Sequence, residues 1–453
     1  MKESWQGDFT IERLGEAEVP SPIHLGTEPG DLLADFTPDG ARVLAELDFD
    51  RVIDQLKRGE EPAALEVAGP RQRIYFEPSR TRAGIVTCGG LCPGLNNIIR
   101  GLVMTLHHGY GVAGILGFRY GYAGLTPAGE PPVELTPESI GEIHEHGGTA
   151  LGTSRGPQDT EVMVDRLEEL GVRILFAVGG DGTFRGALAM RDEVRRRGAE
   201  ISVIGVPKTI DNDIPLVDRT FGFHTAVERA VIAIRAARSE ALSADRGIGL
   251  VKLMGRHSGF IAATAALAAR NANLVLIPEL PFDLDGEGGL FAYLSGRFAR
   301  GKSTVIVVAE GAGQRHLERA AARDASGNVQ LGDIGKFLAG AIKERFSAKM
   351  DLTLKYIDPS YIVRSAPANS DDAIFCGYLA HNAVHAGMSG RTGMAVGRSH
   401  NQFTHIPLDR LVESRKTVDP EGNLWLAVLE STGQPFYLTN HPPKELSRRS
   451  FAP

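Results

Sequence analysis

The stretch Ile174-Leu175-Phe176-Ala177-Val178-Gly179-Gly180-Asp181-Gly182-Thr183-Phe184 decides the fold. Its first five residues are apolar without a break, the pattern of a parallel strand buried on both faces. Two glycines, a carboxylate, a third glycine and a hydroxyl follow at the strand's end. Backbone without side chains lets a polyphosphate come close. Asp181 can hold a divalent cation against it, and the helix that follows offers N–H groups to anionic oxygens. The arrangement suits phosphoryl transfer. Taken alone, the segment also reads as a tight strand-to-helix turn.

Outward from this stretch the rhythm repeats. Apolar runs at 83–87, 112–117, 201–206, 248–254, 274–277 and 304–309 alternate with helical patterns. Thr225 and Glu228 have capping-box spacing and open a helix with Val227, Val231 and Ile234 on one face. Asp333 caps another, with Ile334, Phe337, Leu338, Ala341 and Ile342 at helical spacing. The alternation predicts an α/β fold of two doubly wound, Rossmann-like domains with parallel-rich sheets, plus an N-terminal extension.

The bulk properties exclude several classes. A net charge of −7 over 453 residues argues against a duplex nucleic-acid binder. No apolar run approaches the roughly 18 residues that span a bilayer, and the first residues hold no signal-peptide core. Cys88, Cys92 and Cys376 make no disulfide framework, and the Cys88–Cys92 spacing lacks the second ligand pair of a zinc site. The chain reads as a reduced, cytoplasmic protein with no membrane partner.

Further motifs stand at strand ends, where ligand sites collect in open α/β sheets. In Cys88-Gly89-Gly90-Leu91-Cys92-Pro93-Gly94-Leu95-Asn96-Asn97, three glycines precede a helix that Asn96 or Asn97 can cap; the loop cradles phosphates or is a plain turn. In Leu151-Gly152-Thr153-Ser154-Arg155-Gly156, the arginine can reach a phosphate bidentately or lie in a solvated loop. In Pro207-Lys208-Thr209-Ile210-Asp211-Asn212-Asp213, an extended backbone puts Asp211 and Asp213 on one face. One carboxylate can then take a proton from a hydroxyl while the other places a metal or orients the first. Lys208 adds positive charge and Thr209 a donor; a capping loop with surface acids is the alternative. Leu253-Met254-Gly255-Arg256-His257-Ser258-Gly259 precedes an alanine-rich helix over 261–269. Arg256 at that helix start suits a sugar phosphate or a transferring phosphoryl group, and His257 reads as an acid or base or as a structural histidine. Glu310 stands at another strand end and can accept from sugar hydroxyls. Lys355, Tyr361 and Arg364 supply cations and a phenol suited to a phosphate monoester.

In this order and spacing, the segments over about 82–400 resemble the phosphofructokinase family. With the extension and the Lys355–Arg364 segment, the chain is most similar to the long ATP-dependent 6-phosphofructokinases of trypanosomatid, plant and some bacterial type. The resemblance implies transfer of a phosphoryl group from ATP, with Mg2+, to the 1-hydroxyl of fructose 6-phosphate in glycolysis. It implies Asp211 as the base, Asp213 in support of base and metal, and Asp181 as the magnesium ligand. Gly90, Arg155, Gly156, Gly180, Gly182 and Thr183 resemble the nucleotide contacts. Thr209, Ile210, Met254, Gly255, Arg256, Glu310, Tyr361 and Arg364 resemble the sugar-phosphate contacts, with Lys208 and Arg256 beside the transferring group. Lys355 falls where short bacterial enzymes carry an arginine lent by a neighbouring subunit. This implies an allosteric homo-oligomer, a dimer or tetramer, with its active site near a subunit interface. The implied division is an N-terminal extension over 1–80, a nucleotide-binding domain over 81–224 completed by about 363–400, a sugar-phosphate domain over 225–362 and a C-terminal segment over 401–453.

Two departures bear on this. A second arginine borrowed across the interface in the short enzymes finds Gly247 here, with Arg246 beside it. Lys208 replaces the glycine of the short ATP enzymes and is typical of pyrophosphate-dependent relatives. At position 182, however, those relatives carry an aspartate that fills the space of the nucleotide α-phosphate and repels it. Gly182 leaves that space open, so the expected donor is ATP. A pyrophosphate-dependent enzyme, a NAD or lipid kinase, and a regulatory paralogue without turnover are the competing readings. The Thr209–Asp213 run, the 254–259 segment and the presence of Asp181, Asp211 and Arg256 favour a sugar kinase. Sedoheptulose 7-phosphate is a plausible second acceptor.

Overall fold

The computed structural model describes residues 7–28, 30–31, 34–317 and 329–441, and the chain divides into two compact units. The first takes the residues up to Thr209, Ile214–Gly222 and Ser365–Arg415; the second takes Ile210–Asp213, Phe223–Arg364 and the residues from Lys416 onward.

The first unit is built on a nine-stranded sheet, ordered Arg42–Leu44, Ala64–Val67, Gln402–Pro407, Met394–Ser399, Ser202–Pro207, Val172–Gly179, Arg82–Thr87, Gly114–Phe118 and Val133–Glu134. The five strands from Met394–Ser399 to Gly114–Phe118 are mutually parallel. The outer strands join antiparallel, so residues 42–67 extend the sheet at one edge. The apolar run 174–178 lies at the sheet's centre with every residue fully buried. Each such Val, Leu, Ile or Phe contributes about 1.5–3 kcal/mol relative to exposure. The helices Leu95–Met104, Asp181–Arg197 and Ser370–Met388 bury their apolar faces on this unit.

The second unit holds a four-stranded, all-parallel sheet ordered Leu274–Leu276, Thr304–Ala309, Ile248–Leu253 and Leu354–Ile357. Its core joins Ile248, Leu250, Ile306 and Val308 to Leu338 and Ile342 of the helix Ile334–Phe346. The α/β class and the parallel sheets are those read from the sequence, and Asp333 caps its helix as expected, accepting from the Lys336 N–H at 3.1 Å.

Two capping assignments are corrected. Thr225 lies inside the helix Phe223–Leu242 and is buried, so it packs instead of opening the helix. The helix Leu95–Met104 is capped by Gly94, not by Asn96 or Asn97. Asn96 is buried and works at a distance: its Nδ2 donates to His146 O at 3.0 Å, and its Oδ1 accepts from Ala150 N–H at 2.8 Å. It thereby pins the loop that leads into Thr153, Ser154 and Arg155.

Candidate active site

In the first unit, three neighbouring parallel strands end level with one another. Cys88 N–H donates to Val178 O, and Lys208 N–H to Gly179 O, both at 2.9 Å. The glycine turn after Thr87, the turn after Gly179 and Lys208 are therefore side by side. The helix Asp181–Arg197 starts there with Gly180 as its N-cap and no side-chain cap. The N–H groups of its first turn have no carbonyl to bond within the helix, and the helix dipole adds positive potential. Lys208 is buried, and its Nζ donates to Gly90 O at 2.5 Å. Thr153 Oγ1 donates to Gly89 O at 2.7 Å, drawing the Arg155 loop onto the same turn. Arg155 is exposed, with Nη2 3.4 Å from where a Cβ on Gly90 would stand. Gly156 follows it with φ +103°. Gly90, Arg155, Gly156, Gly180, Asp181, Gly182, Thr183 and Lys208 thus lie on adjoining turns.

A Cβ on Gly182 would meet nothing within 4 Å. The Thr183 carbonyl accepts from the buried Tyr122 hydroxyl at 2.6 Å, which fixes the first turn of the helix. Asp181 is 30% exposed, and its Oδ2 accepts from Arg415 Nη2, a residue the sequence reading did not single out. Burial pushes the Cys88 thiol up to about 12, so it stays protonated beside the turn. Among the described residues, no group of three or more His, Cys, Asp or Glu gathers as a metal cage.

The chain passes from the first unit to the second within the acidic run. Thr209 belongs to the first, where its carbonyl accepts from Thr220 Oγ1 at 2.6 Å, and Ile210–Asp213 belong to the second. The expected extended backbone is not found: Asn212 has φ +55°, a left-handed conformation that asparagine tolerates. The run is bent there, so Asp211 and Asp213 do not share a face by strand alternation. Asp211 O accepts from Ser258 Oγ at 3.1 Å, and Asp213 O accepts from Lys416 N–H at 2.8 Å.

In the second unit the acceptor candidates sit beyond the C-terminal ends of adjacent parallel strands. Glu310 N–H donates to Leu253 O at 2.8 Å and Gly311 N–H to Gly255 O at 3.0 Å, so Met254, Gly255, Arg256 and Glu310 form one rim. Arg256 precedes the N-cap Gly259 by three residues and is not at the helix start; its Nη2 donates to Val329 O. Burial pushes the Glu310 carboxyl up, against the pull of Lys252 and Arg256. Lys252, which the sequence reading missed, lies 2.8 Å from Asp358 Oδ2 and 3.4 Å from Asp333 Oδ1. Burial lowers its pKa, but the Asp358 hydrogen bond and the surrounding anions outweigh this and keep it charged. Arg364 lies over the ring of Tyr361, 4.8 Å from its centroid, and Tyr361 is 75% exposed. Lys355 stands apart, within its strand opposite Gly249, with Nζ 3.7 Å from Glu240. His257 is exposed. Gly247 has no room for a side chain: a Cβ would fall 2.4 Å from Ala241 O.

The phosphofructokinase family model matches residues 82–387, more than half of the chain. The chain belongs to the phosphofructokinase family. It is 49% identical over 438 residues to an ATP-dependent 6-phosphofructokinase of Amycolatopsis methanolica, covering 94% of this chain and 95% of that one. It is 50% identical over 435 residues to the ATP-dependent 6-phosphofructokinase of Trypanosoma brucei brucei, covering 94% and 88%. Among solved structures it is similar to a pyrophosphate-dependent phosphofructokinase of Marinobacter aquaeolei, with a TM-score of 0.65 over 78% of this chain and 91% of that one. At 20% identity that likeness speaks for the phosphofructokinase fold alone. No described helix is long and apolar enough to cross a membrane.

Proposed function

We infer that the chain is an ATP-dependent 6-phosphofructokinase, moving the γ-phosphoryl group of ATP to the 1-hydroxyl of fructose 6-phosphate to give fructose 1,6-bisphosphate and ADP in glycolysis. The observation that carries the choice of donor is the open space at Gly182, where a larger, charged residue would contest the nucleotide α-phosphate.

Gly90, Arg155, Gly156, Gly180, Gly182 and Thr183 take the nucleotide, through backbone N–H groups and one guanidinium. Asp181 suits Mg2+: a single carboxylate about a third exposed that already accepts from a cation, with no cage of protein ligands among the described residues, is what an ion sharing its ligands with phosphates and water needs. Bound there with the donor, the ion would neutralise charge on the phosphoryl oxygens. Asp211 takes the proton of the 1-hydroxyl, supported by Asp213. Lys208 and Arg256 balance charge on the phosphoryl group in flight. Thr209, Ile210, Met254, Gly255, Glu310, Tyr361 and Arg364 hold the sugar phosphate.

The enzyme works as a homo-oligomer, dimer or tetramer. Lys355, set apart on its strand, and the exposed Tyr361, Ile362, Ile374 and Tyr378 support subunit contacts near the site. We place it in the cytoplasm, consistent with three buried cysteines that form no disulfide.

The test is a coupled assay with fructose 6-phosphate and magnesium, run in parallel with ATP and with pyrophosphate. Turnover with ATP alone is expected. Turnover with pyrophosphate alone would overturn the donor assignment and make Lys208 the residue that decides it. Activity with neither would overturn the catalytic reading.

A further inference from the structure

The ion pair between Arg415 and Asp181 has no role in the scheme above. It is also well placed. Arg415 lies two residues past the helix Leu408–Glu413, whose Leu408 and Leu411 are buried in the core of the first unit. That helix packs against Asp181–Arg197, the helix that begins with Asp181, and Asp409 on it pairs with Arg191 at 3.4 Å. Two packed helices therefore set the distance between the guanidinium and the carboxylate.

Stability is a weak reason for such a pair. Both side chains are about a third exposed, 37% and 30%, and exposed ion pairs contribute little. Asp181 is already favoured at a helix N-terminus by the dipole. The consequence for charge is larger. Asp181 stands where donor phosphates must come, and an uncompensated carboxylate there repels them. A guanidinium carries donors enough to serve a carboxylate and a phosphate in turn.

We propose that Arg415 is a donor-binding residue, an assignment that rests on the donor reading of the Asp181 turn. Its guanidinium neutralises Asp181 in the metal-free protein. When a metal ion takes the carboxylate with the nucleotide, the two cations compete for Oδ2, and Arg415 passes to the phosphate oxygens. Arg415 therefore matters most to nucleotide binding when no metal is there to shield Asp181.

The test is calorimetric binding of ATP, once with excess magnesium and once with a chelator, to the full-length protein and its variants. In Arg415→Gln, Mg·ATP binding is expected to weaken about 10-fold and metal-free ATP about 100-fold, the range of charge-assisted hydrogen bonds and exposed repulsion. Adding Asp181→Asn to Arg415→Gln should recover about 10-fold of the metal-free affinity, because the repelling charge is gone. Arg415→Lys should keep most of both affinities, which separates the charge from any effect on folding. Equal metal-free affinities of Arg415→Gln and the unaltered protein, or equal losses with and without metal, overturn the proposal while leaving the donor site standing. Failure of the unaltered protein to bind Mg·ATP overturns the donor site and the proposal together.

Discussion

The Lys208 ammonium group donates to the Gly90 carbonyl oxygen at 2.5 Å, joining the turns that follow two parallel strands of one sheet. The lysine thus holds the glycine turn and brings a buried positive charge to the place proposed for the phosphoryl oxygens. Lys208→Gln should lower kcat with ATP by roughly 10²-fold, the usual loss when one preorganised donor is removed. Steady-state kinetics checks this; an unchanged kcat would reduce Lys208 to a brace for the turn.

Gly182→Asp should fold, because a Cβ there meets nothing within 4 Å. A carboxylate about 4 Å from a phosphate costs about 4 kcal/mol at an effective dielectric of 20. ATP turnover should therefore fall by at least 10²-fold, with fructose 6-phosphate binding little changed. Unaltered ATP kinetics in this variant would show that position 182 does not select the donor.

Asp211→Ser leaves the backbone anchor from Ser258 Oγ to Asp211 O in place. Loss of the base should reduce kcat by roughly 10²-fold or more, while KM for fructose 6-phosphate stays within a few-fold. The opposite split, a raised KM at full kcat, contradicts the assignment.

Glu310→Gln should act in two directions. Burial raises the pKa of this carboxyl in the folded protein. Its contribution to stability is then fullest below the unfolded pKa and is lost as the pH rises through the folded one. Glutamine cannot ionise, so the variant should melt higher than the unaltered protein at pH 7 to 8 and match it more closely in acid. The KM for fructose 6-phosphate should rise about 10-fold, because a neutral amide is a poorer acceptor for sugar hydroxyls. Thermal melts across pH, with kinetics at pH 7.5, test both halves; a lower melting point at pH 8 contradicts the first.

Acid should weaken the first unit through His405. Burial lowers its pKa to about 4, so it is neutral in the folded protein at pH 7 and Nδ1 pairs with Glu66 Oε1 at 2.9 Å. The unfolded chain takes up a proton near pH 6.5, and stability declines from there down to about pH 4. Burial pushes Glu66 up, but the His405 hydrogen bond and the Arg391 guanidinium hold it well below the usual carboxylate range. This adds a second loss at lower pH, once unfolded carboxyls protonate. His405→Gln should flatten the melting profile between pH 6.5 and 5; a profile as steep as the parent's would point to another group.

The glycine turns and the strands before them were legible because burial on both faces writes an uninterrupted apolar run, and a strand end needs small residues where backbone meets ligand. Central strands such as Val172–Gly179 and Thr304–Ala309 are of this kind. The strand Leu354–Ile357 was not read: it is only partly buried and carries the exposed Lys355. The bend at Asn212 was missed because alternation assumes an extended chain, and asparagine enters the left-handed region without any mark in the pattern. Arg415 and Lys252 left no local trace. Arg415 meets Asp181 across 234 positions, and Lys252 lies inside an otherwise apolar strand, where only the partners Asp333 and Asp358 explain a charge.

Glu66, on Ala64–Val67, the second strand from one edge of the sheet, has partners at Arg391 and His405, 325 and 339 positions later in the chain. At a synthesis rate of about 5–20 residues per second, a ribosome needs roughly 20–70 s to span that interval. Throughout it the paired strands Arg42–Leu44 and Ala64–Val67 have no sheet to join, since Gln402–Pro407 has not been made. The strands Arg42–Leu44 and Ala64–Val67 are therefore translated well before the strand they join and are among the last to settle. Chaperones would meet them as a nascent pair of strands still waiting after the turns at 88–94, 179–183 and 207–213 have been made.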